Sequence, residues 1–269
     1  MGTYQFLLLE RRGGVLVVSL NRPDRLNALN PAVMAELTAL FASLGGEEGA
    51  GIRVVVLQGE GRAFCAGADI GSDAFAPAGP GRAQRQFAMQ KLASGLIREM
   101  RACPQPIIAL CHGAVCGGGF SLALAADVRL VTPDCRMNAA YLRVGLGGTD
   151  MGSGYLLTRL IGYSMASRYL LTGDFIVAEV AERLGLAAGI HAREELLEAG
   201  LAMAERMLDA SPMGLRLTKD ALNMLVDAPS FDAAIALEDR QQVILMETAD
   251  HREALAAFME KRKPVYRDE

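Results

Sequence analysis

No two of the five cysteines, at positions 65, 103, 111, 116 and 135, form a Cys-x-x-Cys pair, and their number is odd. A disulfide framework or a zinc site is therefore not expected, and free thiols in a reducing compartment are. Positive charge is not in excess either: 27 Lys and Arg stand against 31 Asp and Glu. Nucleic-acid binders carry a basic stripe, so that class of partner is excluded from the expectation. Residues 1–20 lack a small-residue cleavage pattern and place acidic Glu10 beside their apolar run. They read as strands, not as a signal peptide. No repeat of fixed period runs through the chain, and no low-complexity tract beyond the Gly/Pro/Ala loop at 76–81.

One stretch is long and apolar enough to require a membrane test: residues 102–126 contain no Asp, Glu, Lys or Arg. Pro104, Pro106, His112 and a run of three glycines interrupt it. A buried strand at 107–110, a tight turn and a buried helix at 119–126 fit that spelling better than a span. A soluble, cytoplasmic protein is expected, with 269 residues to build a substantial core.

What is present alternates strand-like and helix-like segments through the first two-thirds of the chain. Residues 4–9 and 15–20 read as a hairpin turned by Arg12-Gly13-Gly14. Asn30-Pro31 supplies an N-cap and a first-turn proline for a helix ending near Gly45. A short strand at 54–57 leads into the glycine-rich turn "GRAFCAGADI", and helical periodicity runs from 82 to 100. Residues 128–131 form a further strand. From Leu156 onward strand signals nearly vanish, and helical runs are predicted at 194–208, 212–226, 231–246 and 252–262. This order predicts an α/β fold with mostly parallel strands, whose ligands sit at strand carboxyl ends. Residues 1–200 are expected to hold the core and its site, and residues 201–269 a helical region for packing and oligomerisation.

The glycine triplet Gly117-Gly118-Gly119 stands between a predicted strand and a predicted helix. Glycine is about 1 kcal/mol less favourable than alanine in a helix, so three in a row point to a required backbone geometry. The first turn of a helix presents N–H groups without intrahelical partners. Glycines bare that terminus to an acceptor, although a tight packed turn would use the same residues. A second turn of small residues, Ala66-Gly67-Ala68, follows another strand. Two bare N–H groups converging on one oxygen make an oxyanion hole, each donor worth about 2.7–4 kcal/mol in the transition state. A phosphate loop is excluded, because neither GxxxxGK[ST] nor a GxGxxG with an acidic ribose partner occurs.

The blocks "NRPDRLNAL", "GRAFCAGADI", "HGAVCGGGFSLALAAD", "LTGDFIVAEVAERLGL" and "FMEKRKPVY" occur in this order along nearly the whole chain. They resemble the corresponding blocks of the crotonase superfamily, the enoyl-CoA hydratase/isomerase family. The resemblance implies a crotonase-like fold of repeated ββα units with a C-terminal helical trimerisation region, assembled as a homotrimer or a dimer of trimers. It implies acyl-CoA thioester substrates and an enolate intermediate, with CoA entering as part of the substrate and no other cofactor and no metal. Carried over by motif position, the oxyanion donors are Ala68 and Gly118, with Gly117 beside them. Arg25 falls where the family often has a basic residue near the CoA phosphates, and Leu26, Ala28, Ala66, Asp69 and Ile70 would line the CoA channel. Asp69 is equally readable as a structural cap on its turn.

The same resemblance exposes a departure. The family's hydratases use two glutamates, and the matching positions here are Ser121, two residues after the triplet, and Tyr141, fourteen residues beyond Asp127. Serine is a poor general base near neutral pH, and a phenol titrates near pH ~10. A carboxylate does occur farther on, where Asp150 stands among five glycines in "VGLGGTDMGSGYLL". Counted back from Tyr155, it is in register with the catalytic aspartate of the superfamily's dienoyl-CoA and ring-oxepin isomerases and with the nucleophile of its 4-chlorobenzoyl-CoA dehalogenases. Counted forward from Gly145 it is one residue late, which implies a one-residue insertion. The dehalogenase reading is the weaker, since the chain holds no Trp for an aromatic pocket. One base beside an oxyanion hole suffices for a 1,3-proton shift, so Asp150 is expected to be the proton shuttle of an enoyl-CoA isomerase. An N-cap for a helix beginning near Met151 is the structural alternative. Tyr141 is expected to orient substrate or to pack. Hydration by atypical residues, and a CoA-thioester binder without catalysis, remain the alternative functions. His112 reads as a core residue, and the cluster at 260–264 as a solvated helix end that in this family can approach the CoA phosphates.

Overall fold

The structure, a computed structural model, describes residues 4–71 and 79–269. Residues 72–78, which include part of the Gly/Pro/Ala loop at 76–81, lie outside the described residues. In chain order the elements are β1 (Leu7–Arg12), β2 (Val15–Leu20), α1 (Pro31–Ser43), β3 (Val54–Gly59), α2 (Arg82–Ala102), β4 (Ile107–Cys111), β5 (Ala114–Cys116), α3 (Gly118–Ala125), β6 (Val128–Val131) and β7 (Arg136–Asn138). Then follow α4 (Ser153–Ile161), α5 (Tyr163–Thr172), β8 (Ile176–Val177), α6 (Ala178–Arg183), α7 (Leu196–Leu208), α8 (Pro212–Leu225), α9 (Phe231–Met246) and α10 (Ala249–Glu260).

Five strands form one sheet in the order β1-β2-β3-β4-β6, antiparallel at the β1–β2 hairpin and parallel elsewhere. The central strands read as unbroken apolar runs because both of their faces are covered. Leu16, Val18, Val55, Leu57, Ile107 and Ala109 face the core shared with α1, α2 and α3. Their neighbours Val15, Val17, Val54, Val56, Ile108 and Leu110 face a second core completed by Leu196 and Ala204 of α7. Asn30 caps α1 as its sequence requires, its side chain accepting the Val33 N–H at 2.9 Å ahead of Pro31.

A second, three-stranded sheet, β5-β7-β8, was not expected. Its strands are two or three residues long, too short for hydrophobic alternation to register, and β5 occupies part of what reads as one turn after β4. The expected limit at 200/201 falls inside α7. A Cβ on Gly200 would stand 2.7 Å from the Leu110 side chain, so this helix lies close against the sheet. Beyond it, α8 is fastened by Lys219, which is buried and reaches Asp127 at 3.0 Å and the Gln105 carbonyl at 2.8 Å. Asp127 also accepts from Arg101 and, at 2.8 Å, from the Ile107 N–H. Among the described residues no helix is long and apolar enough to cross a membrane.

Candidate active site

The two turns of small residues lie side by side. Cys65 N–H donates to the Ala114 carbonyl at 3.1 Å, and Cys116 N–H donates back to the Cys65 carbonyl at 3.0 Å. The segment leading to Ala68 therefore runs along β5, the strand that enters the glycine triplet. It is held on its other side by Ala66 N–H to the Leu26 carbonyl and Leu29 N–H to the Gly67 carbonyl. Asn27, buried and in a left-handed conformation, donates to the Glu60 and Ala63 carbonyls and locks the first block to the second.

The triplet's glycines serve different ends. Gly117 adopts φ +50° and ψ −118°, a conformation open in practice only to glycine. A Cβ on Gly119 would lie 2.2 Å from the Cys65 carbonyl oxygen, so the seam between the turns closes only without one. Gly118 opens α3, and neither its N–H nor that of Ala68 donates to an acceptor among the described residues. Both residues line one cavity of about 540 Å³, a size suited to a small acyl group.

The same cavity brings together Ala66, Gly117, Ile70, Tyr141 and Asp150, residues drawn from well-separated parts of the sequence. Arg25, Leu26, Ala28 and Asp69 are not among its lining. Arg25 is exposed on a short turn. Asp69 is engaged with Arg22, Nη2 to Oδ2 at 2.8 Å, with both side chains mostly buried. Arg22 also donates to the Ala28 carbonyl, so this pair braces the loop ahead of α1.

Asp150 is half-buried and the only carboxylate among the described lining residues. Its Oδ1 accepts from the Met151 N–H at 2.7 Å and from the Gln90 side-chain amide, while Oδ2 has no hydrogen-bond partner among the described residues. It is not the N-cap of the following helix: α4 begins at Ser153 with Gly152 in that position. Ser121 and Tyr141 are both buried, with Ser121 Oγ 2.6 Å from the Tyr141 hydroxyl and the latter 2.7 Å from the Gly117 carbonyl. Burial pushes the Tyr141 phenol well above its ordinary range, so it stays protonated.

Several lining residues were missed. Gln86, Met89, Gln90 and Ala93 come from α2, at the spacing of one helix face. That face continues into buried Leu96, Ile97 and Met100, so two glutamines on an otherwise buried stripe were the signal available. Arg143 supplies the only cation among the described lining residues and lies 5.6 Å from the Phe175 ring. His112 is buried outside the cavity with Nε2 donating to the Gly61 carbonyl at 3.1 Å. Cys65 is not poised for chemistry, since burial pushes its thiol up to about 12. In the 260–264 cluster, Arg262 is paired with Glu253 and Glu260 on an exposed helix end.

Residues 10–269 match the family model described as enoyl-CoA hydratase/isomerase, and the chain belongs to that family. It is 37% identical to the probable enoyl-CoA hydratase EchA12 of Mycobacterium tuberculosis, over 99% of this chain and 94% of that one. The 1,2-epoxyphenylacetyl-CoA isomerase of Escherichia coli is 30% identical, covering 97% of this chain and 98% of its own. A crystal structure of a candidate enoyl-CoA hydratase from Streptomyces coelicolor superposes at TM-score 0.92 with 37% identity, covering all of this chain and 96% of that one. The crotonase-like α/β fold expected from the sequence blocks is thus the fold of the chain.

Proposed function

We propose that this enzyme moves the double bond of an enoyl-CoA, with Asp150 carrying the proton. The observation that supports this reading is the distribution of charge in the cavity. Asp150 is its carboxylate, with one oxygen tethered and the other free, while the two positions matching the hydratase glutamates hold an uncharged Ser121–Tyr141 pair. The thioester oxygen would accept the N–H groups of Ala68 and Gly118. Asp150 Oδ2 takes the proton from C2 of a 3-enoyl-CoA, and the electron pair passes into a dienolate held by the two amides. The same carboxylic acid then returns its proton at C4, giving the 2-enoyl-CoA with no water consumed. Ala66, Ile70 and Gly117 would border the thioester, and Arg25, Leu26, Ala28 and Asp69 are proposed to approach the CoA portion.

The names of the relatives favour a second reading, hydration of a 2-enoyl-CoA, because EchA12 is named a hydratase. Incubating the purified protein with 3-enoyl-CoA and, separately, 2-enoyl-CoA decides between them. Double-bond migration at unchanged mass supports the isomerase, and a product heavier by one water supports the hydratase. Binding of both thioesters without turnover leaves the non-catalytic reading. Self-association as a trimer or pair of trimers belongs to the same proposal. It is supported by Phe231, Val243, Phe258 and Met259, large apolar side chains exposed on the last two helices. Light scattering of the purified chain tests it, a monomer at micromolar concentration counting against it.

A further inference from the structure

We propose that Tyr141 is a positioning residue that holds the Gly118 N–H aimed into the cavity, acting through the carbonyl of the same peptide unit. This rests on the proposed reading of Ala68 and Gly118 as donors to the thioester oxygen. A trans peptide is planar, so the Gly117 C=O and the Gly118 N–H point in opposite directions and rotate together. The orientation of that plane follows from ψ of Gly117, which is −118° at φ +50°. A residue without a Cβ does not fix such a rotation by itself, because glycine populates both signs of φ. Two donors hold the oxygen: the Ser121 N–H at 3.0 Å, in the first turn of α3, and the Tyr141 hydroxyl at 2.7 Å.

The other donor is built the same way. Ala68 N–H shares its peptide unit with the Gly67 carbonyl, and that oxygen accepts the Leu29 N–H at 2.7 Å. Each donor peptide is thus gripped by its oxygen, the Gly67 carbonyl by a backbone amide alone and the Gly117 carbonyl by a backbone amide and the Tyr141 side chain. Both grips also polarise the peptide they hold, which makes its N–H a better donor. At Tyr141 the effect extends one step: a carbonyl only accepts, so the phenol proton points to Gly117 O. With that proton committed, the 2.6 Å contact draws on the single Ser121 hydroxyl proton, in competition with the Asp150 carbonyl at 3.2 Å. Tyr141 is 7% exposed, so water does not substitute for its hydroxyl.

The test reads the thioester carbonyl directly. Butyryl-CoA, labelled at its carbonyl carbon, is saturated and does not react in either proposed chemistry. Its carbonyl stretch is recorded bound to the wild-type enzyme, Tyr141→Phe and Asp150→Asn by infrared difference spectroscopy. The wild type and Asp150→Asn are expected to lower the frequency, and Tyr141→Phe to lose about half of that shift or more. With 3-enoyl-CoA, Tyr141→Phe is expected to lower kcat about 10-fold while KM stays within about 2-fold. A folded Tyr141→Phe that keeps the full shift overturns the proposal with the oxyanion reading intact. Absence of any shift in the wild type overturns both. If Tyr141→Phe does not unfold cooperatively, 3,5-difluorotyrosine placed at 141 keeps the shape and strengthens the donor. A larger shift then supports the grip, and an unchanged one overturns it.

Discussion

The Tyr141 hydroxyl stands 2.6 Å from Ser121 Oγ, each buried and each with a second backbone partner, Gly117 O and Asp150 O. These are the two positions at which the family's hydratases carry glutamates, and here they satisfy each other. Neither is free to accept a proton from substrate, and under the proposed isomerisation that task falls to Asp150 Oδ2. Asp150→Asn keeps the side chain's shape and its Oδ1 contacts while removing the base. Its expected effect is a fall in kcat of about 10²–10⁴-fold with thioester affinity retained. Stopped-flow turnover and equilibrium CoA-thioester binding check the two halves; turnover within a few-fold of wild type would remove Asp150 from the chemistry.

Gln90, also a lining residue, reaches Asp150 Oδ1 from α2, on the oxygen that also accepts the Met151 N–H. With that oxygen doubly held, the free oxygen is the one left for the proton transfer proposed above. Gln90→Ala removes the tether without touching the base. The expected outcome is a kcat loss of about 5–20-fold with a smaller change in KM, because misplacing a reacting group costs rate before it costs binding. Gln90→Glu brings a second carboxylate against Asp150, and the pH–rate profile should then move to higher pH, since a like charge favours the protonated acid. An unmoved profile would show that the two side chains do not meet during turnover.

How much of this was legible in the sequence depended on the length of the signal. The long parallel strands were, because β2, β3 and β4 each hold an apolar run of at least four residues, and the helix at Phe231–Met246 was read from its helical run. The two small-residue turns were legible because glycine is costly where geometry does not require it. β5, β7 and β8 were not, being too short to show a period of two. The Asp69–Arg22 pair joins residues 47 apart, and the Gln90–Asp150 contact joins residues 60 apart. No local pattern encodes such separations. Asp150 was singled out only by motif register, and its tethering was invisible until α2 and the loop before α4 met in space.

The Asp127–Lys219–Arg101 cluster fastens α8 to the sheet end, and its members should not be equivalent. Lys219→Met leaves Asp127 paired with Arg101 but strips a donor from the Gln105 carbonyl, at an expected cost of about 2–3 kcal/mol. Asp127→Asn leaves the Lys219 ammonium buried without an opposite charge, and should cost about 3–5 kcal/mol. Urea denaturation with unchanged slope checks both values. The reverse order would mean that Arg101, not Lys219, carries the electrostatic weight of the cluster.

His112 supplies a pH dependence of stability independent of catalysis. Burial holds its folded pKa below the ordinary 6.5, with Arg193 acting in the same direction. The unfolded chain therefore binds a proton at a pH where the folded chain resists it. The sign follows from linkage: the stability contribution is fully present above about pH 6.5 and is lost as pH falls through the folded value. His112→Gln keeps an N–H for the Gly61 carbonyl but cannot ionise. Denaturation midpoints at pH 7.5 and 5.5 are expected to differ less in the variant than in the wild type. An identical difference in both would place the acid sensitivity in other groups.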